Sequence, residues 1–246
     1  MGLFRKKSKM LEFKKEFKEE IRDGLKDLNG EQMIYYAWLC SVRALPFLGA
    51  TGHFNFWGKG KIETHLNSIF YALDVCIGDN FSATNDVYDG AITAARAAAY
   101  SCNSAYDAAA AVAYAVRSTA NRIVFDADAV VAYTVRAAES SSVDHNIDIK
   151  QVVMSDIKAI KENKPVSNND IHSYGEVWTN FQKALKDAGF EYWGKLYEDI
   201  FNNAFVINRE KLEIRLNIDK SIREKGVAAI VKELQRIDEQ ESCAAS

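Results

Sequence analysis

The chain has 246 residues, 48% hydrophobic and 26% charged, with a formal net charge of -3. That length holds a substantial core in one large domain or two smaller ones, and that charge excludes a general pull toward nucleic acid. Two prolines in the whole chain, Pro46 and Pro165, favour long helices over a many-stranded sheet, and no apolar run reaches the roughly 18–20 residues that span a bilayer.

From Met10 to Leu28, Phe13, Phe17, Ile21, Leu25 and Leu28 recur every three or four positions among lysines and glutamates, which predicts an amphipathic helix. Asn29-Gly30 punctuates it. A second helix from about Glu31 is expected to bury Ile34, Ala37, Trp38, Ser41, Leu45 and Leu48, with Pro46 and Gly49 bending or shortening its last turn. Thr51 to Gly60 reads as a loop carrying His53, Phe54, Phe56 and Trp57, which either folds over the core or offers itself to a partner protein. A third helix places Ile62, Leu66, Ile69, Phe70, Leu73 and Cys76 on one face and closes at Gly78.

Alanine fills 19 of the 48 positions from Ala91 to Ala138, a density that favours helix and lets backbones approach closely. Ala113-Tyr114-Ala115-Val116-Arg117 nearly repeats as Ala132-Tyr133-Thr134-Val135-Arg136. On one continuous helix Arg117 and Arg136 would lie on different faces, so breaks are expected at Ser101–Ser104, where Ser104 to Asp107 has the form of a capping box, and near Ser118–Asn121. Three short, closely stacked helices result. Ser140 to Val143 reads as a linker, Ile149 to Ile160 as a helix, and Lys164-Pro165 through Asp170 as the main internal boundary. Ser173 to Glu176 has a second capping-box pattern before a helix with Val177, Trp178, Phe181 and Leu185 that stops at Gly189. Phe190 to Phe205 reads as helical, Leu212 to Ile218 alternates in a way that allows a short strand, and Ser221 opens a final helix to Ile237. The expected architecture is an all-α multi-helix bundle: an N-terminal amphipathic helix (1–29), an alanine-rich bundle (30–163) and an aromatic-rich helical subdomain (164–246) packed on it.

Catalytic spacing is missing from the motifs. His53, His65, His145 and His172 form no His-Glu-x-x-His or Glu-x-x-His pair, and no Cys-x-x-Cys occurs, so neither a metal site nor a cofactor is expected. Cys40, Cys76 and Cys102 fall on apolar helical faces, where buried inert thiols are the default. Four scattered cysteines without a secretory pattern after Met1–Lys7 suit a cytoplasmic location. Arg96, Arg117 and Arg136 sit within alanine-rich stretches. They either bind an anionic ligand, together with Asp126, Asp128 and His145, or bridge helices by pairing with Asp107, Asp126, Asp128 and Glu139. Trp38, Trp57, Trp178, Tyr192, Trp193 and Tyr197 fill the core or, where exposed, build a partner surface. The terminal Cys243-Ala244-Ala245-Ser246 matches a prenylation box, the one route by which this sequence would reach a membrane.

Several segments, from Trp38-Leu39-Cys40-Ser41-Val42-Arg43-Ala44-Leu45-Pro46 through the alanine block to Trp178-Thr179-Asn180-Phe181, Tyr192 to Asp199 and Lys225 to Ile230, together resemble a group of bacterial alanine-rich helical proteins. The first half also resembles immunity-protein-like domains with an Arg-Ala-Leu-Pro entry. The resemblance implies a bacterial cytoplasmic helical module linked to toxin immunity or phage defence. It transfers no site residue. The missing catalytic spacing, the compact alanine core and the aromatic loop lead to a non-enzymatic protein that binds another protein, such as a toxin or defence effector. The rival expectations are an enzyme or anionic-ligand sensor with its site between the central helices, and a membrane-associated effector prenylated at Cys243.

Overall fold

The computed structural model describes residues 15–78, 84–99, 101–121, 124–166 and 171–244. Every regular element among them is helical. The chain runs through α1 (15–26), α2 (Gly30–Leu48), α3 (Ile62–Ile77), α4 (Thr84–Ala98), α5 (Asn103–Asn121), α6 (Val124–Glu139), α7 (Ile149–Lys161), α8 (Glu176–Asp187), α9 (Glu191–Asn202), α10 (Arg209–Leu216), the short α11 (Lys220–Arg223) and α12 (Val227–Ala244). Single 3-10 turns at Asn55–Trp57 and Ile171–Tyr174 sit in the connections.

α2 is the axle. Asn29 and Gln32 cap it reciprocally, side chain to backbone, at 2.9 and 3.0 Å, which fixes its start at Gly30. Periodicity assigns it a single buried stripe, yet every residue from Tyr36 to Leu48 is buried, because α3, α5, α6, α7 and α8 all pack around it. Ile34, expected inside, is only half-buried. A helix enclosed on all sides must satisfy its polar groups internally. Accordingly Ser41 Oγ donates to Ala111 O, Thr134 Oγ1 donates to Cys40 O, and the Tyr36 and Tyr174 hydroxyls donate to Val153 O and Arg43 O. Arg43 lies within α2 and pairs twice with Asp156 of α7, Nε to Oδ2 at 2.6 Å and Nη2 to Oδ1 at 2.8 Å, with the Phe205 ring 4.2 Å away. Both side chains are fully buried.

The alanine block forms a layer of three helices, α4, α5 and α6, with α5 in the middle and also touching α2 and α3. Helix axes pack about 8–10 Å apart, and small side chains favour the lower figure. Ala105, Ala108, Ala109, Ala110, Ala111, Ala113 and Ala115 are all fully buried on α5. α4 ends at Ala98 and α5 opens at Asn103, beside the break expected at Ser101–Ser104, and α5 ends at Asn121, at the far edge of the break expected near Ser118–Asn121. Ser104 lies one residue inside α5 and does not serve as the cap, and its capping-box partner Asp107 pairs instead with Arg136.

Three further expectations are corrected. Residues 212–218 form no strand: α10 covers Arg209–Leu216, capped by Asn208 accepting from Lys211 N. The strand-like alternation is overridden: the helix buries Leu212 and Arg215, three residues apart on one face. Ser173 does not cap α8, since the 3-10 turn intervenes and Gly175, at φ +54, precedes Glu176. The final helix is interrupted, because Gly226 takes φ +93 between α11 and α12, a conformation glycine adopts without strain. Gly189 (φ +81) ends α8 where expected, with Phe190 N bonding back to Leu185 O at 2.8 Å.

One continuous core runs from Ile21 to Leu234. The residues after 164 pack on those before it: Asn180 Nδ2 donates to Ala50 O, Arg209 Nη1 to Ile77 O, and Arg215 pairs with Asp74. Among the described residues no helix is long and apolar enough to cross a membrane.

Candidate functional site

The outward face of the α4–α6 layer carries a cluster of tyrosines, arginines and aspartates. Where buried alanines draw the helices together, the rings of Tyr88 (α4), Tyr106 and Tyr114 (α5) and Tyr133 (α6) lie half-buried over the seams. Tyr114 and Tyr133 stack with centroids 5.1 Å apart at 27°. Tyr88 meets Tyr114 edge to face at 6.4 Å, and Tyr106 meets Tyr133 likewise at 6.0 Å. Arg117 lies 4.3 Å over Tyr114 and 5.7 Å over Tyr88, and Arg136 lies 5.2 Å over Tyr133, within cation–π range.

The two arginines are fixed reciprocally. Arg117 on α5 bonds Asp126 of α6 through Nε at 2.9 Å and Nη2 at 2.5 Å, and Arg136 on α6 reaches back to Asp107 of α5 at 3.0 Å. These crossed pairs join the end of each helix to the start of the other, so α5 and α6 run antiparallel. The short repeat seen in the sequence is therefore part of a longer one. Asp107, Tyr114 and Arg117 return nineteen residues later as Asp126, Tyr133 and Arg136, and antiparallel packing turns the repeat into a local two-fold arrangement. Tyrosine and arginine three residues apart share a helix face, which is why each arginine covers its own tyrosine.

The ion pairs tune their members. Its hydrogen bond to Asp126 holds the Arg117 guanidinium above its ordinary value. Burial raises Asp107 to about 6 despite the opposing pull of Arg136 and Ser140. Burial, then the neighbouring hydroxyls of Tyr106 and Tyr114, push the Tyr133 phenol upward as well.

Of the residues expected to share one anionic-ligand site, Arg117 and Asp126 bond each other. Arg136 is engaged by Asp107, and Asp128 turns toward α1, 2.9 Å from Arg22 Nε and 4.0 Å from Lys18 Nζ. His145 stands apart, its Nε2 3.2 Å from Ala138 O and its ring against Phe47. Four charges with ready partners on facing helices are split into pairs, which lowers their energy more than convergence on open solvent would. Asp128 and Arg136 do border an apolar groove of about 170 Å³ between α1 and α6, floored by Ile21, Val131 and Val135.

Of the two placements open to the aromatic loop, the structure shows it folded over the core. Phe54 and Trp57 are buried and stacked at 5.7 Å, and Trp57 Nε1 donates to Ala94 O of α4 at 2.9 Å. Phe56 is half-buried against Trp57, which leaves His53 as the exposed member. The side chain of Cys243, and Ala245 and Ser246, lie outside the described residues. Cys40 and Cys76 are buried free thiols, and burial raises Cys76 to about 12. Among the described residues no group of three His, Cys, Asp or Glu is placed to hold a metal ion.

Two buried ion pairs, Arg43–Asp156 and Asp74–Arg215, escape sequence reasoning. The available signal was a lone arginine inside an apolar run, Leu39 to Leu48, which has no solvent-facing stripe for it to occupy. No family model, curated protein or solved structure matches this chain.

Proposed function

We propose that the chain is a non-catalytic helical module that binds another protein through the tyrosine and arginine ladder of α4, α5 and α6. The ladder itself carries the reading. Tyrosine and arginine are the residues that dominate protein interface hot spots, since each offers a large contact area with a polar end. Rings already held by stacking and guanidinium contacts give up little side-chain freedom on association. A toxin or defence effector, the class implied by the resemblance to immunity-like proteins, is the proposed partner.

Affinity capture from the native host tests this with two variants of unchanged melting behaviour. Tyr114→Ala with Tyr133→Ala should reduce recovery of a specifically bound protein at least tenfold, while Phe56→Ala in the aromatic loop should leave it intact. Equal recovery by wild type and the double variant would overturn the assignment of the ladder.

A further inference from the structure

Away from the ladder, α3, α9, α10, α11 and α12 line a half-open cavity of about 200 Å³. Its lining is largely aromatic: Phe70 and Trp193 stack at 5.7 Å with only 14° between their planes, and Tyr71 lies under the guanidinium of Arg223 at 4.4 Å. Three cationic and anionic groups line it, and two cancel. Arg215 is spent on Asp74, with Nε 3.0 and 3.1 Å from the two carboxylate oxygens and Nη2 at 2.8 Å, and its Nη1 donates to Lys211 O.

Arg223 is different. Its Nε donates to Ile218 O at 3.1 Å and its Nη2 to the carbonyls of Arg215 and Leu216, which tie it to the end of α10. Nη1 has no protein acceptor among the described residues, and neither does the amide of Asn67 at the rim make a side-chain bond there. Burial works against the charge of this arginine, so an anion beside it restores what desolvation removes. A cavity of about 150 Å³ already admits a benzene ring, and the Nη1 donors of Arg223 offer a carboxylate oxygen a charge-assisted hydrogen bond.

We propose that this cavity binds a small planar carboxylate, its ring against the aromatic walls and its carboxylate on Nη1 of Arg223. The site is independent of the ladder and stands or falls without it.

Benzoate is the probe and benzamide its uncharged isostere, each titrated against the full chain by ligand-observed NMR. Benzoate should bind saturably and at least tenfold more tightly than benzamide. Arg223→Gln should erase that preference. Because Arg223 also ties down α10, Asn67→Trp serves as a second variant: it fills the half-exposed rim without removing an internal bond, and should abolish benzoate binding with the fold intact. Absence of saturable binding, equal affinity for the two probes, or benzoate binding indifferent to Asn67→Trp would each overturn the proposal.

Discussion

Asp107 shows how the ladder's charges bear on stability one residue at a time. Its side chain is 3% exposed, and burial lifts the carboxyl from its ordinary 3.8 to about 6. The folded state therefore holds the proton more tightly than the unfolded chain does. Stability on this account falls as pH rises between about 4 and 6 and is level above that. The whole effect is on the order of 3 kcal/mol, from about two pK units at 1.4 kcal/mol each. Asp107→Asn keeps the shape and removes the titration. Urea melts of both proteins from pH 4 to pH 7 should show the variant gaining on wild type by up to that amount, with the gain complete near pH 7. Parallel profiles would show that Arg136 fully compensates the buried charge.

At the scale of elements, the close approach of α2 and α8 makes a sharp demand on Gly49. A Cβ there would lie 2.9 Å from the Phe181 ring and 3.0 Å from Phe181 Cα. A ring can turn, but a backbone atom moves only with its helix. Gly49→Ala should cost on the order of 2 kcal/mol as an overpacking defect and lower the melting temperature by several degrees. Gly60→Ala, with nothing within 4 Å of the added methyl, should stay within about 0.5 kcal/mol of wild type. Calorimetry of the pair checks both; equal melting would mean α8 yields freely.

The elements also show what could be read in advance. Helices with a single greasy stripe and a glycine stop, such as α3 closing at Gly78, were legible to within a residue, since their pattern is local. α2 was under-read because burial on every side leaves no stripe to count. Residues 212–218 alternate with the period of two that suits a strand, and the helix there follows from the Asn208 cap and the tertiary packing of Leu212 and Arg215, which the local pattern does not show. The ladder was half legible. The repeated Tyr-x-x-Arg was visible, but its meaning depends on antiparallel pairing that only tertiary structure supplies, and with that pairing unknown Asp107 and Asp126 could not be assigned to opposite arginines.

Across the described residues, one core unites the alanine layer with the aromatic C-terminal helices. Small side chains inside α4–α6 bring three helices together and push the larger groups outward, so the same composition that tightens the interior builds the tyrosine and arginine surface. Binding through that surface is the central claim. A photo-crosslinking amino acid placed at position 114, 133 or, as a control on the exposed side of α10, 210 tests it in the native host. Adducts of a single partner from positions 114 and 133 and none from 210 are the predicted result. Adducts from 210 with none from the ladder positions would contradict it.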